Sequence, residues 1–110
     1  PANRQCATVK RYIDRHYKEN LTLDELAEKV SISKYHMAHA FKREYGVSPI
    51  NYIIDCRIRE GKRLLAETDL APSQIASILG FSSSSYFCKT FSNIEGTSPT
   101  EWRKANQVKF

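Results

Sequence analysis

The sequence predicts an all-α protein of about seven helices, arranged as two helix-turn-helix subdomains joined by a long linker helix, and three observations lead there. Apolar residues recur at three- and four-residue intervals along almost the whole chain. No segment sustains the strict alternation of a half-buried strand. A pattern of short helix, turn, longer helix, glycine stop and Ser-Pro restart occurs twice within the 110 residues.

The first helix is expected over about 8–20, with Val9, Tyr12, Ile13 and Tyr17 on one stripe and Lys10, Arg11, Asp14, Arg15 and Lys18 outside it. Thr22 and Glu25 then stand at capping-box spacing and open a short helix over about 23–30 that buries Leu26, Ala27 and Val30. "SIS" at 31–33 makes the turn, Ser33 caps the third helix, and Gly46 stops it. Ser48 and Pro49 open the long fourth helix, expected to 68, with Ile50, Ile54, Ile58 and Leu65 at helical spacing. Gly61 lies on the same face, where a missing side chain suits the close approach of another helix. At about 1.5 Å per residue this helix is roughly 30 Å long. Pro72 opens a fifth, short helix that Gly80 ends; the serines at 82–85 begin the sixth, and Ser98, Pro99 and Glu101 open the last. The expected division is a first subdomain at 1–48, a linker helix at 49–68 and a second subdomain at 69–110.

The repeat fixes the correspondence of the two copies. Leu26, Ala27, Val30 and Ile32 match Ile75, Ala76, Leu79 and Phe81 at a shift of 49, whereas Phe41, Gly46, Ser48 and Pro49 match Phe91, Gly96, Ser98 and Pro99 at a shift of 50. The second copy therefore has one extra residue between Phe81 and Phe91. In this register the serines at 82–85 occupy the place of "SKYH" at 33–36, which makes Ser82 the expected cap and the serine run a helix start rather than a linker.

Two helices joined by a short turn, the second more polar on its free face, suit insertion of that second helix into a DNA major groove. In the first copy Leu26, Val30, Ile32, Met37 and Phe41 are the expected core, which leaves Lys34, Tyr35, Ala38, His39 and Lys42 outward. In the second, Ile75, Leu79, Phe81, Phe87 and Phe91 are core, and Ser84, Ser85, Cys88 and Lys89 face out. These faces offer hydroxyl, imidazole and ammonium groups, with a phenol ring able to meet thymine methyls. For one copy alone, a merely solvated helix face is the plain alternative. Two copies held by a helix of roughly 30 Å approach the roughly 34 Å between successive major-groove faces of B-DNA.

Composition is consistent with a polyanion partner: 17 Lys and Arg against 12 Asp and Glu give a net charge of +5. Three cysteines, Cys6, Cys56 and Cys88, form no C-x-x-C pair and imply reduced thiols. No apolar run suits a membrane span or a signal peptide, so the cytoplasm is the expected location. The absence of an initiator Met before Pro1 suggests a piece of something longer.

The stretches "LDELAEKVSISKYHMAHAFKREYGVSPINYI", "RIREGKRLL" and "IASILGFSSSSYFCKTFSNIEGTSPTEWR" resemble the DNA-binding domain of AraC/XylS-type bacterial transcription regulators over about residues 9–104. The resemblance implies two homeodomain-like helix-turn-helix subdomains whose recognition helices enter adjacent major grooves of double-stranded DNA. It implies base-reading roles for Tyr35, Ala38, His39, Ser84, Ser85, Cys88 and Lys89. Backbone contacts are implied for Ser33, Lys34, Lys42, Ser82, Ser83 and Ser98. RNA polymerase is an implied partner if the protein is an activator, as is an effector-binding domain elsewhere in a longer chain; no cofactor, metal or catalytic site is expected. Lys89 stands where Arg is common, Ser31 where a turn Gly is common, and Gly61 where Ala is common. Short hydroxyls and one lysine on the second helix imply that the first unit carries more of the specificity.

Three other readings of the same residues are open. A helical protein-interaction module without specific DNA binding would use the same fold. His36 and His39, three apart, could hold a metal only with a further ligand such as His16 or Cys56. No nucleophile and base constellation suggests an enzyme.

Overall fold

A computed structural model describes residues 2–108. Among the described residues there are seven helices and no strand: α1 Ala2–His16, α2 Leu23–Glu28, α3 Lys34–Tyr45, α4 Pro49–Glu67, α5 Pro72–Leu79, α6 Ser84–Glu95 and α7 Pro99–Asn106. The chain forms two compact units, Pro1–Cys56 and Arg57–Phe110, whose boundary falls inside the continuous α4. The outer limits of the expected 1–48 and 69–110 segments, at residues 1, 109 and 110, lie outside the described residues.

In the first unit α1 begins six residues earlier than the sequence suggested and ends at His16 rather than near 20. Its core stripe starts at Cys6, fully buried with Val9 and Ile13, so the apolar period extends one turn further toward the N-terminus. Its end is set by Leu21, which is buried in the same core. The chain reaches Leu21 through a tight turn in which Glu19 N–H donates to His16 O at 2.9 Å and Leu21 N–H to Glu19 O at 3.0 Å. Against this stripe pack Leu26 and Ala27 of α2 and Met37, Ala40 and Phe41 of α3. Val30 and Ile32, expected in the core, are only partly buried.

α2 also stops short of 30. Thr22 caps it, accepting the Glu25 N–H at 3.1 Å, and its last bonds tighten: Val30 N–H reaches Ala27 O at 3.1 Å and Ser31 N–H reaches Glu28 O at 3.3 Å. Ser31 then takes a left-handed φ of 57°, and Ile32 N–H closes back on Ala27 O at 3.4 Å. The second unit repeats the closure with Gly80 at φ 89° and Phe81 N–H on Ala76 O at 3.1 Å. The shift of 49 therefore holds through this turn.

It ends there. Ser33 caps α3 by accepting His36 N–H at 3.1 Å, and the cap of α6 is Ser83, which accepts Tyr86 N–H at 3.0 Å. The expected cap, Ser82, lies in the turn before it. The extra residue of the second copy is thus absorbed ahead of the helix, because a turn takes an added residue without breaking the helical ladder that buries Phe87 and Phe91.

In the second unit Ile58, Leu64 and Leu65 of α4 are buried together with Ile75 and Leu79 of α5, Phe81, and Phe87 and Phe91 of α6. At Gly61 α5 and α6 side chains come close to α4: a Cβ added there would lie 3.1 Å from Leu79 Cδ1 and 3.4 Å from Phe87 Cε1. α7 is capped by Ser98, which accepts Glu101 N–H at 3.1 Å, and Trp102 meets Phe91 edge-on at 6.1 Å. Arg103 reaches back from α7 to two carbonyls, Nε to Leu65 O at 3.0 Å and Nη2 to Leu70 O at 2.6 Å. These charge-assisted bonds tie the end of α4 and the loop after it to the last helix.

Candidate nucleic-acid interface

The burial of Met37, Ala40 and Phe41 decides how α3 is turned, because residues three and four apart share one face. The opposite face is what the sequence expected: Tyr35 is 75% exposed, Lys34, His39 and Lys42 are exposed, and Ala38 is half-buried at its edge. Tyr35 and His39, one turn apart, hold their ring centroids 4.7 Å apart. This tilted contact keeps two polar rings together at the helix start. Lys34 Nζ lies 3.6 Å from Asp24 of α2, an exposed pair of little worth that phosphate can replace. His36, which as a polar group suits DNA better than a metal, and Arg43, not picked out from the sequence, line a shallow cleft with Ser33, Tyr35 and His39. The spacing of 36, 39 and 43 was the available sign, since it is one helical face.

In α6, burial of Phe87 and Phe91 leaves Ser85 and Lys89 exposed and Ser84 and Cys88 half-buried. Ser82 and Ser83 are exposed at its leading end. Tyr86, 45% exposed, meets Phe81 edge-on at 5.5 Å. Arg57 of α4 sits over the Phe81 ring, 5.3 Å from its centre. Desolvation holds the Arg57 guanidinium below its usual pKa, opposed by the Tyr86 phenol nearby. Lys89 is thus not the second unit's only cation close to the recognition helix. Sequence reading missed Arg57 because it lies well before the turn in the chain and on a different helix. Ser98 is half-buried, and its Oγ already serves the α7 cap.

Of the thiols, Cys6 and Cys56 are buried and Cys88 is half-buried on α6. Burial raises the Cys6 pKa, with the carboxylate of Glu44 adding to the rise and Arg43 opposing it. No group of three or more His, Cys, Asp or Glu side chains among the described residues could hold a metal, so His36 and His39 have no third ligand. No helix among the described residues is long and apolar enough to cross a membrane.

With this geometry in view, a helix-turn-helix domain family matches residues 26–105. A curated relative, the uncharacterized HTH-type transcriptional regulator YdiP of Escherichia coli, is 36% identical over 93 residues, covering 84% of this chain and 31% of that protein. The chain spans less than half the length of the curated relatives YdiP, YisR, AdaA and PocR. Among solved structures, a transcriptional regulator from Chromobacterium violaceum of the AraC-type DNA-binding domain class superposes with a TM-score of 0.85 at 26% identity, covering 94% of this chain and 93% of that one. The DNA-binding domain of AdpA, a global transcriptional factor solved in complex with a target DNA, gives 0.85 at 26% identity over 91% and 90% of the two chains. Two capped helix-turn-helix units in tandem, matched across most of their length, place this chain in the helix-turn-helix domain family, among the DNA-binding domains of AraC-type transcription regulators.

Proposed function

We propose that this chain binds double-stranded DNA sequence-specifically, with α3 and α6 entering adjacent major grooves, as the DNA-binding part of a bacterial transcription regulator. The observation that carries the reading is the repeated geometry: each unit buries one face of its second helix and leaves a polar face free behind a serine cap. Tyr35, Ala38 and His39 read bases in the first groove, and Ser84, Ser85, Cys88 and Lys89 in the second. Lys34 and Lys42, with the hydroxyls of Ser33, Ser82, Ser83 and Ser98, meet the phosphates beside them. The α7 start adds free N–H groups to that set. AdpA's complex with a target DNA supports the assignment by similarity.

The organisation that goes with it is two subdomains, 1–48 and 69–110, bridged by 49–68. In a longer regulator the domain works in the bacterial cytoplasm, at the nucleoid. There it answers to an effector-binding domain and, where it activates, to RNA polymerase. Selection of duplexes from a random pool, followed by footprinting of the selected site, tests the central reading. Two protected major-groove segments about one helical turn apart are expected, with affinity falling steeply as salt rises. Absence of duplex binding even at low salt would refute the reading and favour a protein-interaction module.

A further inference from the structure

We propose that the outer face of α1 is a docking surface for a carboxylate-rich polypeptide segment, separate from the DNA-reading face. Arg4, Thr8, Arg11 and Arg15 follow one another at four- and three-residue steps and so form a single stripe along α1, with Lys18 just past its end. Cys6, Val9 and Ile13, which pack into the core with Met37 and Phe41 of α3, occupy the opposite side of the helix. α3 in turn presents Tyr35, His39 and Lys42 on the side away from that same core. The two faces are thus distinct surfaces of one unit, each turned away from the core that the helices share.

The stripe has a built cleft. Thr8, Arg11, Tyr12, Arg15 and His16 line it from α1, and Lys29 closes it from the end of α2. Lys29 Nζ stands 4.8 Å from the centre of the Tyr12 ring, and His16 stacks on that same ring at 4.2 Å. Several other cations are neutralised within their own units: Lys10 by Asp14 at 3.5 Å, Lys62 by Glu95 at 3.4 Å, Arg63 by Glu60 at 2.7 Å. Among the described residues no carboxylate forms an ion pair with Arg11, Arg15 or Lys29. Glu19 pairs with His16 at the cleft's end. Two guanidinium forks and an ammonium around a half-buried phenol match carboxylates spaced along an extended chain, since arginine binds carboxylate through two parallel bonds. Charge complementarity therefore selects an acidic segment over an apolar one.

The test uses this chain and a fluorescein-labelled deca-glutamate peptide, with binding read by anisotropy at low salt. Wild type is expected to bind, and the double variant Arg11→Glu, Arg15→Glu to bind at least tenfold more weakly. Lys104→Glu, a charge reversal on α7, should change binding less than twofold. The same double variant should melt within a few degrees of wild type and bind duplex DNA within threefold of it. Failure of the wild type to bind the peptide, or equal losses in the double variant and Lys104→Glu, would overturn the proposal. A large loss of duplex affinity in the double variant, with peptide binding kept, would assign the stripe to DNA phosphate instead. Loss of peptide binding with DNA affinity intact separates this proposal from the DNA-binding one, which stands or falls on its own duplex measurements.

Discussion

Single residues in the two turns show how much one backbone angle matters. Ser31 and Gly80 close equivalent turns, but Ser31 does so at φ 57°, where a side chain crowds the backbone. Ser31→Gly is expected to relieve that strain, offset in part by the greater freedom of glycine in the unfolded chain. A net stabilisation of about 0.5–1 kcal/mol is expected, a rise of a few degrees in Tm by calorimetry or circular dichroism. The proposed DNA contacts separate at the same scale. Lys42 is an exposed ammonium with no base-reading geometry of its own, so Lys42→Ala should weaken all duplexes alike and reduce the salt slope by about 1. His39 is held in place by its tilted ring contact with Tyr35, so His39→Ala should change which bases are preferred. Binding titrations against the selected site and its single-base variants at two salt concentrations distinguish the two outcomes.

At the scale of helices, Gly61 sets how closely α4 approaches α5 and α6. A methyl group there would press on Leu79 Cδ1, the flexible end of a side chain, while the change gains roughly 1 kcal/mol of helix propensity. Gly61→Ala should therefore leave stability within about 1 kcal/mol of wild type. Gly61→Val adds branches that meet both Leu79 and the rigid Phe87 ring and should destabilise by about 1–3 kcal/mol in urea unfolding. Because Phe87 anchors the face opposite Ser84, Ser85, Cys88 and Lys89, the same variant should also lower duplex affinity. Helix starts were the most legible elements in the sequence. Ser33, Ser48 and Ser98 cap as expected, since the cap is a bond between residues three apart and needs nothing distant.

For the whole molecule the question is how two units act as one binder. α4 is a single helix of 19 residues, about 28 Å, that runs through the boundary between the units. Asp55→Pro removes one N–H from its ladder and clashes with the carbonyl a turn earlier, a cost of about 3 kcal/mol or more. Our expectation is that this variant keeps a helical spectrum in each unit and loses the second protected groove in a footprint. Its affinity should fall at least tenfold, because joining two weak contacts through a fixed spacer raises their effective concentration. An unchanged footprint would show that a continuous α4 is not needed for two-groove contact.

The sequence by itself determined what local chemistry determines: an all-α chain, the order of its helices, most of their caps, the buried aromatic anchors and the outward polar faces of α3 and α6. Each of these follows from bonds and periodicities within about four residues. Only tertiary structure decided the rest. Leu21 was drawn into the core and ended α1 early, and Cys6 extended that helix's buried stripe toward its start. Ser83, and not Ser82, took the cap because Phe87 and Phe91 had to stay in register with their core. Arg57 came to rest on Phe81, and Lys29 on Tyr12, through contacts between residues distant in the chain. Such placements depend on which faces are pressed together, and a periodic pattern along one helix carries no record of the helix that will cover it.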